Sequence, residues 1–396
     1  MSKDLITEHT NALSVFENIK RTKLVFGEGA ALHTGQLAKD LGLSHVLLVT
    51  DVGLVNAGHA EFVRESLVKA GIEVTIFDQV IENPTSDCVE KAKQLAFDAK
   101  VDSFIGLGGG SSMDTAKGAN FLLTNGGRIH DYWGVNKATK DMLPLIVIPT
   151  TAGTGSECQS FALISDSETH QKMACGDTKA IAKTAILDPC LTLSLPENVT
   201  MCTGIDAIAH AVETAVTNKR NDLSNLFSTE AFKLLLPNFS KVISDPNNLN
   251  ARGSMLLGAA MAGCAIEASM LGAAHSLANP LTAHFNVIHG QAVGMMLPYV
   301  IRFNSKLAEC RAIYGQLSSA VQIDTASGLG NEGENLAAYL LNLLKKVGMP
   351  VQLRDIIGGK QMIPLLAKEA ASQWTAGFNP LLAGEIEMEN IYLEAY

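Results

Sequence analysis

The sequence lacks three features that would place it at once: an excess of positive charge, a Cys-x-x-Cys pair and a long uninterrupted apolar run. Its 30 Lys and Arg stand against 40 Asp and Glu, a formal charge of −10, so it carries no electrostatic footprint for nucleic acid or an anionic membrane surface. Seven cysteines (Cys88, Cys158, Cys175, Cys190, Cys202, Cys264, Cys310) are odd in number and widely spread. That spacing argues against a disulfide ladder or a thiolate zinc site and suits reduced thiols in the cytoplasm. Residues 1–17 mix Asp4, Glu8 and Asn11 with isolated apolar residues, and no signal peptide is expected there. The most apolar stretch, Met255 to Ala274, approaches the length of a membrane span but contains Glu267 and several glycines. It reads as a buried helix, and no membrane partner is expected.

What is present is a globular chain of 396 residues, 47% hydrophobic and 18% charged, long enough for two domains. The first half alternates apolar strand-like runs with amphipathic stretches, the pattern of an α/β domain with a largely parallel sheet. Strands are expected at Val46–Thr50, Glu73–Phe77, Ser103–Leu107 and Leu145–Ile148, with helices at Ala60–Ala70 and Ser86–Ala99. From about Pro196 the apolar spacing becomes helical, in Ile205–Val216, Leu223–Leu236, Ala251–His284 and Leu336–Val347. Turn chemistry between Asp188 and Thr200 divides an α/β domain, 1–192, from an all-α domain, 193–396.

Two loops and one constellation carry chemistry. Gly106 to Asp114 runs from an apolar strand through three consecutive glycines into a helix, which offers open backbone N–H groups and a positive helix end to a diphosphate. The acidic residue expected about 20 residues downstream of a Rossmann-type glycine turn is missing; Asp51, after an upstream strand, is the available carboxylate. A second loop, Pro149 to Glu157, is dense in hydroxyls and glycines that suit phosphate or ribose oxygens. In the helical half, Asp206 and His210 share a helix face, with Glu213 nearly aligned as a further ligand or an acceptor behind them. His275, His284 and His289 cluster in an otherwise apolar segment. A metal site of Asp206, His210, His275 and either His284 or His289 follows, and its donor set suits Zn²⁺ or Fe²⁺ better than Mg²⁺ or Ca²⁺.

These residues occur in an order that closely resembles the iron-containing, or group III, alcohol dehydrogenase family. The matching positions are Gly108-Gly109-Gly110-Ser111, Asp114, Lys117, Pro149-Thr150-Thr151, Gly153-Thr154, Ser156-Glu157, Gly204, Asp206, His210, Glu213, His275, Pro280, His289-Gly290, Pro298 and Phe378-Asn379-Pro380. The resemblance implies a dehydroquinate synthase-like fold, an α/β dinucleotide-binding domain followed by an all-α domain, with a divalent metal in the cleft. It places the metal ligands at Asp206, His210, His275 and His289. It places NAD at Asp51 on the adenosine ribose, at Gly108, Gly109, Gly110, Ser111 and Asp114 on the pyrophosphate, at Thr150, Thr151 and Thr154, and near Lys172.

The implied activity is NAD-dependent oxidation of a small alcohol, or reduction of an aldehyde, by a homodimer or higher homo-oligomer. Four residues beyond the third ligand many members have a histidine, whereas this chain has Asn279, which cannot carry a proton near neutral pH. Asn279 is expected to orient substrate, and His284 or water to take the proton. Two rivals are a dehydroquinate synthase-like lyase or cyclase and a catalytically silent NAD-binding protein. Segments 204–216 and 272–290 contain no Lys or Arg for the lyase's anionic substrate.

Overall fold

The computed structural model describes residues 22–169, 171–323 and 331–396. Segment 1–17, expected to lack a signal peptide, lies outside them. The first half contains strands β1 (Lys23–Phe26), β2 (His45–Val49), β3 (Glu73–Phe77), β4 (Ser103–Gly108), β5 (Gly134–Val135), β6 (Leu145–Pro149), β7 (Phe161–Ser165), β8 (Lys172–Gly176) and β9 (Thr184–Leu187). Its helices are α1 (Thr34–Asp40), α2 (Val52–Asn56), α3 (His59–Lys69), α4 (Ser86–Ala99) and α5 (Gly110–Asn125). Six strands form a parallel sheet in the order β1-β9-β6-β4-β2-β3.

The strands at the centre of this sheet are continuous apolar runs because both faces are covered. Val46, Leu48, Ile105 and Leu107 pack on one side against Val63 and Leu67 of α3. Leu47, Val49, Phe104 and Val147 pack on the other against α4 and α5. The chain moves outward from β2 to β3, then returns to place β4 on the opposite side of β2. The carboxyl ends of β2 and β4 therefore flank a switch point, where open α/β sheets bind ligands. A second sheet, β5-β8-β7, pairs β7 and β8 antiparallel with Phe161 opposite Gly176. Its strands are too short to stand out from the sequence pattern.

The last strand ends at Leu187, and the helical half follows as α6 (Glu197–Thr214), α7 (Asp222–Ser244), α8 (Leu249–Ser269), α9 (Ala273–Phe285), α10 (His289–Asn304), α11 (Ala308–Ala320), α12 (Glu332–Lys346), α13 (Ile363–Ser372) and α14 (Glu385–Ala395). The expectation of one helical stretch over Ala251–His284 is corrected here, as is the single buried helix read over Met255–Ala274. The chain breaks after Ser269, with Met270 at φ 69°, and α8 and α9 meet at a bend of 106°. Gly272 permits the break, because a Cβ there would stand 3.0 Å from Asn379 Oδ1 and 3.1 Å from Glu213 Oε1. Those two oxygens accept the Ala273 and Ala274 N–H groups that open α9. No single helix among the described residues is long and apolar enough to cross a membrane.

Helix α8 joins the halves. Its Leu256, Ala260 and Cys264 enter the apolar layer beneath the sheet. At Gly263 its backbone meets the loop after β6: a Cβ on Gly263 would lie 2.2 Å from the Gly155 carbonyl oxygen. Gly155, at φ 63°, has a conformation that disfavours other residues as well. Gly263→Ala should therefore force the seam apart, with an overpacking cost of about 1–3 kcal/mol. Urea unfolding should show the loss, and, because Thr150, Thr151 and Thr154 are expected at the dinucleotide and ride on the displaced loop, calorimetric titration should show weaker NAD binding. Unchanged stability and affinity would mean the seam is not close-packed.

Candidate active site

Three of the four expected metal ligands converge in the helical half. Asp206 and His210 lie one turn apart on α6, and His275 sits in the first turn of α9. One ligand atom from each lies within 4.8 Å of the others. Asp206 Oδ1 is 3.5 Å from His210 Nε2 and 3.4 Å from His275 Nε2, and the two imidazole rings stack at 4.8 Å. All three residues are buried, and Asp206 Oδ1 and His275 Nε2 have no hydrogen-bond partner. Buried polar atoms without partners are costly, and atoms of these types facing one another fit a divalent cation.

His289 opens α10 with its ring 5.5 Å from that of His275. Gly290 lets that helix start approach α6, since a Cβ there would stand 2.0 Å from the Cys202 carbonyl oxygen. Glu213 is not aimed at the cluster but stands behind it. Its Oε1 accepts the Ala274 N–H at 2.7 Å and its Oε2 holds His275 Nδ1, which turns His275 Nε2 toward Asp206. Burial works against the His275 imidazolium, but Glu213 and Asp206 outweigh it and raise its pKa to about 9. Burial lowers His289 to about 3, assisted by Lys172 and the other imidazoles. Burial opposes ionisation of Asp206 too, yet the surrounding imidazoles hold it below the usual carboxylate range.

Most of the residues expected at the dinucleotide follow the carboxyl ends of the adjacent strands β2, β4 and β6. Gly108, at φ 143°, ends β4, and α5 begins at Gly110. Added side chains would meet Ser112 at Gly108, Thr151 at Gly109 and Thr154 at Gly110, so the two loops expected from the sequence pack directly against each other. The Thr150 N–H donates to the Gly108 carbonyl at 3.0 Å. Ser111 is partly exposed in the first turn of α5. Asp51 caps α2 by accepting the Leu54 N–H on Oδ1. Asp114 is buried below this surface, and both its oxygens take protein donors, Ser156 Oγ at 2.7 Å and the Leu163 N–H at 3.1 Å.

Lys172, on β8, is exposed, and desolvation lowers its pKa against the carboxylates of Asp114, Asp206 and Glu82. Its charge acts on Asp206 and His289, a basic influence from the other half that segments 204–216 and 272–290 do not contain. Asn279 lies one turn beyond His275 and donates to Gln373 Oε1 at 3.1 Å. His284 is not brought to the cluster. Nine residues along α9 place it on the opposite helix face and about 13 Å farther along the axis. There it pairs with Glu369 of α13 at 2.8 Å. Sequence reasoning also missed Gln373 and its neighbour Trp374, which lie far from the histidines in the chain and match no motif.

A parallel α/β sheet with a glycine turn at its strand ends, joined to a helical half that holds a carboxylate–imidazole cluster, is the architecture expected from the resemblance to iron-containing alcohol dehydrogenases. Comparison with known proteins makes the assignment definite. Residues 21–189 match the family model for iron-containing alcohol dehydrogenase, and residues 200–396 match the C-terminal model of the same family. The chain is 32% identical over 364 residues to the NAD-dependent methanol dehydrogenase of Bacillus methanolicus, covering 91% of this chain and 94% of that one. It is 34% identical over 379 residues to the choline dehydrogenase of Bacillus subtilis, covering 95% and 94%. The solved alcohol dehydrogenase from Oenococcus oeni superposes with a TM-score of 0.92 at 30% identity, covering 96% of this chain and all of that one. The chain belongs to the iron-containing alcohol dehydrogenase family and is an NAD-dependent alcohol oxidoreductase.

A buried ionic network fixes the loop between the two half-sites. The Lys117 ammonium, fully buried on α5, shares its three N–H groups among Ser156 O (2.7 Å), Ser156 Oγ (2.8 Å), Gln159 O (2.9 Å) and Phe161 O (2.9 Å). Glu267 of α8 accepts the Ser160 N–H and hydroxyl from the helical side. Glu157 is buried with Oε1 unpartnered, and desolvation lifts its carboxyl to about 7 despite Lys117. The folded state thus holds this proton more tightly than the unfolded chain, so stability present below pH 4.5 is lost as pH rises to 7. A displacement of that size is worth roughly 3 kcal/mol. Glu157→Gln removes the titration, so chemical denaturation should show the variant gaining on the parent across that window. Parallel stability–pH curves would rule this carboxyl out as the source.

Proposed function

We propose that the chain interconverts primary alcohols and the corresponding aldehydes with NAD⁺ and NADH, using Fe²⁺ or Zn²⁺ held by Asp206, His210, His275 and His289. The observation that carries this reading is the convergence of Asp206 Oδ1 and His275 Nε2, buried and unpartnered, beside His210 Nε2. A divalent cation supplies Lewis-acid polarisation of a substrate oxygen, and the nicotinamide supplies the hydride acceptor. The chain's own residues do the rest.

The glycine turn Gly108 to Gly110 and Ser111 present the start of α5 to the pyrophosphate, with Thr150, Thr151 and Thr154 beside it. Asp51 keeps one carboxylate oxygen for the adenosine ribose while the other caps α2. Asp114 serves the pyrophosphate indirectly, by fixing Ser156 and Leu163 under the turn. Lys172 faces the metal centre from the nucleotide side. Asn279 keeps its carbonyl oxygen and one N–H for orienting substrate, its other N–H being committed to Gln373. His284 has no part in this scheme, and the proton leaves to water. Edge strand β1 exposes Leu24 and Phe26 and pairs on one side only among the described residues, which supports a homodimer or higher homo-oligomer. The seven free cysteines support a cytoplasmic setting.

His275→Ala or His289→Ala should lower bound divalent metal and NADH production from added alcohol together, whereas His284→Ala should keep its metal. Elemental analysis of the purified variants distinguishes these outcomes, and full metal occupancy in both ligand variants would exclude the assignment.

The Asp51 carboxylate should accept ribose hydroxyls and repel a 2′-phosphate, so kcat/KM should favour NAD⁺ over NADP⁺. Asp51→Ser keeps a capping oxygen for Leu54 and should narrow that preference. Equal use of both cofactors by the parent would remove Asp51 from the ribose site.

A further inference from the structure

Beside the metal centre, one ring contact crosses between the domains. Phe161 of β7 meets Trp374 with ring centroids 5.5 Å apart, and Phe378 holds the other side of the indole edge-on at 5.4 Å. The rings are placed by their neighbours. The Phe161 carbonyl is bound to Lys117, and its ring lies over Gly176, where an added Cβ would stand 2.3 Å from Cε1. Trp374 sits between two residues tied to the metal-bearing helix. Gln373 accepts from Asn279, one turn beyond His275, and the Thr375 hydroxyl bonds that of Ser276, the residue after His275, at 2.8 Å. The indole nevertheless remains 45% exposed, an apolar surface left open where a buried core would have covered it.

We propose that Phe161 and Trp374, backed by Phe378, form an aromatic wall that receives the carbon tail of the substrate and favours alcohols with an alkyl or aryl tail over small or cationic ones. This rests on the alcohol-oxidising reading above. Asn279 and Gln373 mark where the polar end of the cleft gives way to this wall. Exposed aromatic faces pack alkyl or aryl groups well and release water from both surfaces. Two carboxylates on this side already have partners, since Asp206 faces the imidazoles and Glu369 on α13 is engaged by His284, and Glu82 acts on Lys172. Lys172, whose charge acts on Asp206 and His289, disfavours a further cation beside the ligands.

The test uses metal-loaded full-length protein with methanol, ethanol, 1-hexanol, benzyl alcohol and the cationic alcohol choline. The parent should show kcat/KM for 1-hexanol and benzyl alcohol at least tenfold above ethanol. In Trp374→Ala the ratio of 1-hexanol to ethanol should fall at least tenfold, Phe161→Leu should lower it less, and Trp374→Phe should restore most of it. A second readout needs no turnover. The chain has two tryptophans, Trp133 and Trp374, and Trp133 is exposed, so Trp133→Phe leaves Trp374 as the sole emitter. Benzaldehyde added to the NAD⁺-bound protein should quench its emission saturably, and acetaldehyde should not. An equal loss for every alcohol in Trp374→Ala, an unchanged ratio, or a choline preference that disappears with the indole would each overturn the proposal. Absence of turnover with any alcohol would instead refute the alcohol-oxidising reading, and the emission titration would still decide whether the wall binds an aryl aldehyde.

Discussion

The Glu213 carboxylate is the interaction on which the metal centre depends, because its two oxygens settle two matters at once. Oε1 caps the first turn of α9 and so fixes where that helix begins after the 106° bend; Oε2 fixes the tautomer and direction of the third ligand. Neither could happen with a side chain at Gly272, which would press on both Glu213 and Asn379. The bend returns His275 to α6, on which Asp206 and His210 stand four positions apart. Two carboxylates and three imidazoles in one buried volume form a site that binds positive charge, and the raised pKa of His275 is the same preference expressed toward a proton. A divalent metal held by His275 would have to displace that proton, which would link its occupancy to pH.

The second constraint is the loop from Pro149 to Phe161, which belongs to both half-sites. Its hydroxyls lie against the glycine turn, its Gly155 touches α8 backbone to backbone, and its later residues hang from Lys117. A buried ammonium with four oxygen acceptors is costly to desolvate, and such a group holds backbone positions more firmly than an apolar contact would, because any displacement leaves charge unpaired. The cofactor loop and the metal-bearing half are thereby held in one register.

Much of this was legible in the chain. The continuous apolar strands, the glycine turn and the Asp206–His210 spacing each follow from a local period or a residue type that has few other uses. Glu213 was visible as a polar residue on the right face, although only the fold decides whether it binds metal or buttresses a ligand. What the sequence concealed depends on direction changes and distant partners. The break at Met270 hid inside an apolar run whose helical spacing continues through it. His284 shares its segment and chemistry with His275, and only the helix phase separates them. Lys172 was placed near the nucleotide by the family resemblance, with no sign of its pull on Asp206, while Gln373 and Trp374 meet α9 from nearly a hundred residues away.

The position of Asn279 explains how the cleft handles a molecule with two unlike ends. An imidazole there would add a group that titrates near neutral pH and, when protonated, would place another cation one helical turn from His275. The amide is neutral at every working pH, and Gln373, its partner, is neutral as well. Together they form an uncharged boundary along α9, with the ionic centre toward His275 on one side and the aromatic side chains that follow Gln373 on the other. A carbinol needs this division, since its oxygen must be polarised while its tail leaves water. The hydrogen bonds from α9 to Gln373, Thr375 and Asn379 keep the two environments in contact without merging them.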